Sequence, residues 1–415
     1  MALLAIATAT GVLAQTQDSA LVAEGDSLRP VHRLEAEVID GAVLHTNRFL
    51  EGYNPEVRTM NQYFTVKAKY AFMPSPDSEQ AHIYKGVYQG AGLAYHHLNP
   101  QIGNPFSAYL FQGATIATLS RRLSLNYEWD FGLTYGWKSN GGGKRPDNRV
   151  IGSKMTAYMD VDFYLRWMLS RQWDLNLGWT VSHFSNANTT LPNAGLNTTA
   201  LKLSVAYYLN RPAEEVEAGP RPAFQRHWST DLVVFGAWKR KGFENAFGAY
   251  TLPGTFGVIG ANVNPMYNVS HWFNVGASLD MYYDHSANLS LDDAQPAPTE
   301  GEDDAQQGDI PELTIEKIDL RDRIIYPAWH RQVTAGLSVR GEFVMPYFAI
   351  NFGIGHNFIN AGSSPFKGFY EVLALKVAVS QKLFLHIGYS LYDFQYPNNL
   401  MLGVGYRLGS HRKWF

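Results

Sequence analysis

The chain has 415 residues, enough for one large domain or two smaller ones. Charged residues make up 17%, below the quarter or so of a soluble domain, and aromatics reach 14%, a balance that suits a membrane barrel with interfacial aromatic girdles. The net charge of −3 with no basic stripe argues against nucleic-acid binding, and the absence of Cys excludes disulfides, thiolate zinc and a thiol nucleophile.

In chain order, Met1 to Ala14 reads as the apolar core of a secretory signal, with small residues before a cleavage point near Ala14. It lacks a basic start, so the true start is expected upstream. It is too short for a bilayer core that needs roughly 20 residues. From residue 33 onward the dominant signal is alternation of period two. Leu125, Tyr127, Trp129, Phe131, Leu133, Tyr135 and Trp137 share one face, with Asn126, Glu128, Asp130 and Thr134 on the other. Met159, Val161, Phe163, Leu165 and Trp167 oppose Asp160, Asp162 and Arg166 in the same way. Carboxylates are too costly to bury in hydrocarbon, so the polar face is expected to line a wet lumen.

Connections alternate in length. Ser120–Ser124, Leu169–Gln172 and Ser380–Leu383 are short, whereas 138–154, 185–198 and 285–326 are long and polar. Short periplasmic turns and long outer loops are the arrangement of bacterial outer-membrane barrels. The longest loop carries the acidic run Glu300–Asp304, expected to be a solvated outer loop. About eight strands fall in 33–210 and about eight more in 228–409, joined by a Pro-rich, charged linker or periplasmic turn at 211–227. The halves resemble each other: Leu175–Trp179 lines up with Leu385–Tyr389, and Asp130–Leu133 with Asn351–Ile354. The fold class expected is an all-β, antiparallel, transmembrane β-barrel. The preferred form is a single barrel of about 16 strands, because one closed sheet leaves no edge; the alternative is two tandem eight-stranded barrels.

The candidate chemistry lies at the end of the seventh strand, Trp179-Thr-Val-Ser-His183-Phe-Ser185-Asn186-Ala187. His183 and Ser185 are two apart and so share a face, the minimal pair for a base-activated hydroxyl nucleophile. Parity puts them with Leu175, Leu177, Trp179 and Val181 on the lipid side, at the outer rim, where an acyl ester of a membrane lipid would lie. By spacing alone the pair equally suits the start of a polar loop. His96, His97 and His271 show no metal-ligand spacing.

The dyad, with the following Leu191-Pro192-Asn193-Ala-Gly195-Leu-Asn197, resembles the outer-membrane lipid A 3-O-deacylase, or acyloxyacyl hydrolase, family (PagL-type) over 33–210. The resemblance implies an esterase acting on lipid A of lipopolysaccharide in the outer leaflet, among outer-membrane lipids, with neither metal nor organic cofactor. It implies Ser185 as nucleophile, His183 as general base, and Asn186 as site or oxyanion support. Trp179 and Val181 would form the wall on which acyl chains rest. The family's third member is an acid, and here that position is Asn197, which can orient the imidazole but supplies no charge. In the second half the positions matching the dyad are Asp393 and Gln395, so that unit is expected to be structural, a degenerate copy. The competing expectation is a non-enzymatic barrel, either a pore or a structural surface protein; a third is an adhesin using loop 285–326.

Overall fold

The computed structural model describes residues 29–75, 78–140, 148–186, 189–190, 192–212, 220–245, 248–252, 254–291, 324–360, 368–392 and 396–410. The leader at 1–14, the acidic run and the pair Asp393 and Gln395 lie outside the described residues.

The amphipathic segments form antiparallel strands of up to 15 residues, long enough to cross a bilayer at a tilt. The first eight are β1 (Val31–Leu44), β2 (Gln62–Met73), β3 (Tyr88–His97), β4 (Phe106–Ser120), β5 (Leu123–Tyr135), β6 (Met155–Met168), β7 (Trp173–Ser185) and β8 (Leu196–Tyr208). They pair in sequence order, and β8 then returns to β1, from Arg33 opposite Tyr208 to Leu44 opposite Asn197. The second closed sheet contains β9 (His227–Lys239), β12 (Phe256–Asn268), β13 (Phe273–Asp284), β16 (Val333–Val344), β17 (Phe348–Ile359), β18 (Phe369–Ala378), β19 (Leu383–Tyr392) and β20 (Tyr396–Leu408). It closes through β20 on β9. Two small hairpins, β10 (Gly242–Asn245) with β11 (Gly248–Thr251) and β14 (Ser290–Leu291) with β15 (Ile324–Ile325), sit in its longer connections.

The expectation of one barrel of about 16 strands is therefore corrected: two eight-stranded barrels form. Once β8 is bonded to β1, neither strand has a free edge to offer the second half. Charge adds a second reason. Lys67 on β2 reaches Asp130 on β5 at 2.8 Å and Asp160 on β6 at 2.6 Å, while Lys69 reaches Glu37 on β1 at 2.7 Å and Glu128 on β5 at 2.8 Å. Such bonds across the lumen need the narrow interior of an eight-stranded barrel.

The same bonds cross-link the expected polar lumen. Arg33, Lys67, Lys69 and Lys202 interleave with Glu35, Glu37, Glu128, Asp130, Asp160 and Asp162, all buried. In the second barrel Asp231 and Glu342 are held by Lys376 and Arg407. Paired charges occupy much of each interior and offset one another. The outer faces carry exposed Val161, Phe163, Leu201 and Leu203 in the first barrel, and Leu232, Val234, Leu337 and Val339 in the second. Apolar side chains outside and charges inside invert a soluble protein and fit lipid.

The barrels stand side by side. Trp129 meets Phe348 edge to face at 5.7 Å, in a cluster with Met345 and Leu375. Gln112, outward by parity, is buried there and accepts from the Trp129 indole N–H at 2.5 Å. The Tyr84 hydroxyl donates to the His271 carbonyl at the short-turn end, and the Arg240 N–H donates to the Thr189 carbonyl at the other, both at 2.9 Å. Long-loop ends thus lie together, as do short-turn ends.

Candidate active site

Strand β7 alternates strictly. Asp174, Asn176, Thr180, Ser182 and Phe184 point into the lumen and are buried, whereas Leu177 and Trp179 on the outward face are exposed. His183 and Ser185 share that outward face at the long-loop end and are partly exposed. Their inward neighbours hold them. The Ser182 hydroxyl donates to Asp160 at 3.0 Å. Phe184 is stacked on Tyr158 at 5.2 Å and meets His96 and Trp137 edge on, at 5.0 and 5.3 Å. A side chain locked into a packed aromatic cluster fixes the backbone on either side of it.

The β7–β8 register puts Asn197 directly opposite His183, a cross-strand pair on the lipid side. His183 Nδ1 lies 2.6 Å from Asn197 Oδ1. An amide oxygen only accepts, so the ring proton is on Nδ1, and Nε2 keeps its lone pair as a base. Among the described residues no hydrogen bond links His183 to Ser185. The Ser185 hydroxyl is held by Asn193, whose Nδ2 donates to Oγ at 2.9 Å. Asn193 Oδ1 in turn accepts from the Asn186 backbone N–H at 3.1 Å.

Asn186, expected as site or oxyanion support, is bonded within the β7–β8 loop. Its Nδ2 donates to the Thr190 carbonyl at 2.6 Å, while its own carbonyl accepts from the Thr189 N–H and hydroxyl. These bonds make Asn186 a brace of the loop that follows Ser185. The amide bonded to the hydroxyl is that of Asn193, for which no role was expected from the sequence. Its signal was its place in the Pro-Asn-x-Gly segment, but spacing alone did not say which amide would turn toward the serine.

Gly195 was also missed. Its φ is +72°, a conformation that L side chains avoid, and a Cβ there would lie 3.2 Å from His183 Cε1. Its N–H donates to the Val150 carbonyl at 3.1 Å, which ties the loop to the β5–β6 connection. Bare backbone therefore lies against the imidazole face. Below the dyad, the Trp179 indole N–H donates to Thr199 at 2.8 Å and lies across the β7–β8 seam. Together with Val181, Val161 and Leu201 it makes an apolar wall leading up to Ser185.

The one group of described carboxylates close enough to share a cation is Glu37, Glu128 and Asp162, in the lumen. Lys69 and Lys202 already neutralise it, and it lies on the opposite side of the sheet from the dyad.

Residues 161–206 match the family model described as lipid A 3-O-deacylase (PagL). Residues 228–411 match a second model, described as the acyloxyacyl hydrolase C-terminal domain. Together the two matches cover just over half of the chain. No curated protein gives a significant match. Among solved structures, the outer membrane enzyme PagL is similar at 11% identity and a TM-score of 0.28, over 41% of this chain and 97% of that one. Neisserial surface protein A is similar at 9% identity and a TM-score of 0.29, over 42% of this chain and 96% of that one.

Proposed function

The chain belongs to the lipid A 3-O-deacylase (acyloxyacyl hydrolase) family, a family of outer-membrane hydrolases, and from that premise we propose that Ser185 and His183 hydrolyse the acyl ester at the 3 position of lipid A. The observation that carries this reading is the shared outward face of the pair, directly above the Trp179 wall, with the imidazole already oriented by Asn197.

With the short turns taken as periplasmic, as in bacterial outer-membrane barrels, the dyad would face the outer leaflet, where lipid A resides. An acyl chain lies along Trp179 and Val181, which brings its ester carbonyl to Ser185. The hydroxyl turns from Asn193 toward His183 Nε2, gives up its proton and attacks the carbonyl carbon. Catalytic hydrogen bonds of this kind commonly tighten only when substrate is bound. The Asn193 amide, freed from Oγ, donates to the developing oxyanion. Collapse expels the sugar oxygen, which takes the proton from imidazolium. Water, deprotonated by Nε2, then attacks the acyl-serine and releases the fatty acid. Gly195 leaves room for the ring to accept and return the proton without displacing backbone.

The test compares lipid A from cells carrying the wild-type protein or Ser185→Ala, both shown to be folded. Mass spectrometry should find the 3-O acyl chain missing with wild type and retained with the variant. The same acylation in both would remove the proposal.

A further inference from the structure

At the short-turn end the barrels part, and a crevice of about 760 Å3 opens between them. Ile116 and Trp129 line it from the first barrel, and Trp272, Phe343 and Ile350 from the second. The polar groups in its floor are occupied: Gln112 is bonded to both Trp129 and Tyr127. The walls therefore offer a dry, apolar slot that opens to the membrane.

Two cations stand at its edge. Lys85, in the β2–β3 connection, and Arg221, in the segment joining the barrels, are both exposed, and no acidic residue lines the crevice. Neither makes an ion pair with a described residue. The Arg221 guanidinium lies over the Trp272 ring at 4.5 Å, which keeps the charge at the mouth rather than loose in solvent. Unpaired cations beside an apolar slot at the membrane boundary match a ligand that carries an anion at one end and hydrocarbon at the other.

We infer that this crevice binds one anionic phospholipid, with an acyl chain between the barrels and its phosphate against Lys85 and Arg221. The occupant is taken from the leaflet at the short-turn end, and that assignment rests on the orientation proposed above. A free anion would leave the slot empty, and a hydrocarbon alone would leave the cations unanswered. The site is at the opposite end of the barrel from Ser185 and does not use it. A lipid held there fills the seam between the barrels, where neither barrel seals against the other.

Native mass spectrometry of the full chain in detergent, with phosphatidylglycerol and phosphatidylcholine added in equal amounts, tests this. One phosphatidylglycerol should be retained per chain in preference to phosphatidylcholine. Lys85→Ala with Arg221→Ala should weaken retention about thirtyfold, taking each near-surface cation as about fivefold. Ala114→Trp, which fills the slot and leaves both charges, should also abolish it; gel migration before and after heating checks that both variants are folded. Equal retention of the two lipids, or unchanged retention in the double variant, overturns the inference. Ser185→Ala should retain the lipid whether or not it loses deacylation, so the two proposals fail separately.

Discussion

His183 is oriented by a neutral amide, and that has a kinetic signature. Asn197 accepts from Nδ1 and aims Nε2, but in the proposed mechanism it would add no charge to hold the imidazolium. Asn197→Asp keeps the size and the acceptor and adds the charge. It should raise kcat on the order of ten- to a hundredfold. An anion beside a histidine favours the protonated ring, so the acid limb of the pH–rate profile should move to higher pH; a rate gain without that movement would contradict the assignment. Gly195→Ala tests the other side of the ring. The positive φ costs about 1–2 kcal/mol for an L side chain, and the new methyl presses on Cε1. Deacylation should fall on the order of a hundredfold, as for a catalytic group displaced by about an ångström, with the barrel still folded. The shared face of His183 and Ser185 was legible because alternation is a property of the chain itself. The turn of Asn193 toward Ser185 was not, because it depends on how a ten-residue loop closes.

At the scale of elements, β7 works as a rigid arm whose inner face sets the position of its outer one. Phe184 is buried among Tyr158, His96 and Trp137, between His183 and Ser185 in sequence. Phe184→Ala should cost about 3–5 kcal/mol of stability through the cavity left behind. Under the proposed function it should also lower kcat without raising KM, since the proposed acyl wall at Trp179 and Val181 is untouched. Saturation kinetics on a lipid A micelle substrate would separate the two effects. The lumen makes its own prediction. Lys67→Met leaves Asp130, Asp160 and Glu37 short of a partner, and breaking a buried pair costs about 3–5 kcal/mol. Denaturant titration in detergent, followed by the heat-sensitive gel shift, should show the midpoint falling. The alternation of Asn126, Glu128 and Asp130 marked an inward face plainly, but which ammonium meets which carboxylate is decided by shear between strands far apart in sequence.

For the whole molecule, two filled interiors replace one wide one. Neither should pass a steady large current in a planar bilayer, and such currents would contradict the ion-paired lumens. Strand periodicity counted the strands and revealed the repeat, yet it left open which strand β8 would meet, because alternation says which way a residue faces and not which edge its strand seeks. The answer lay in the reach of Lys67 and Lys69 across a narrow interior, a three-dimensional fact. Eight is an even number, so the chain leaves the first barrel on the side of the membrane by which it entered. The second barrel can then follow in the same sense, and it must stand the same way up. Duplication of such a unit is topologically free: any number of copies could be strung along one polypeptide with every set of long loops looking outward, whereas an odd-stranded unit would alternate its polarity at each repeat.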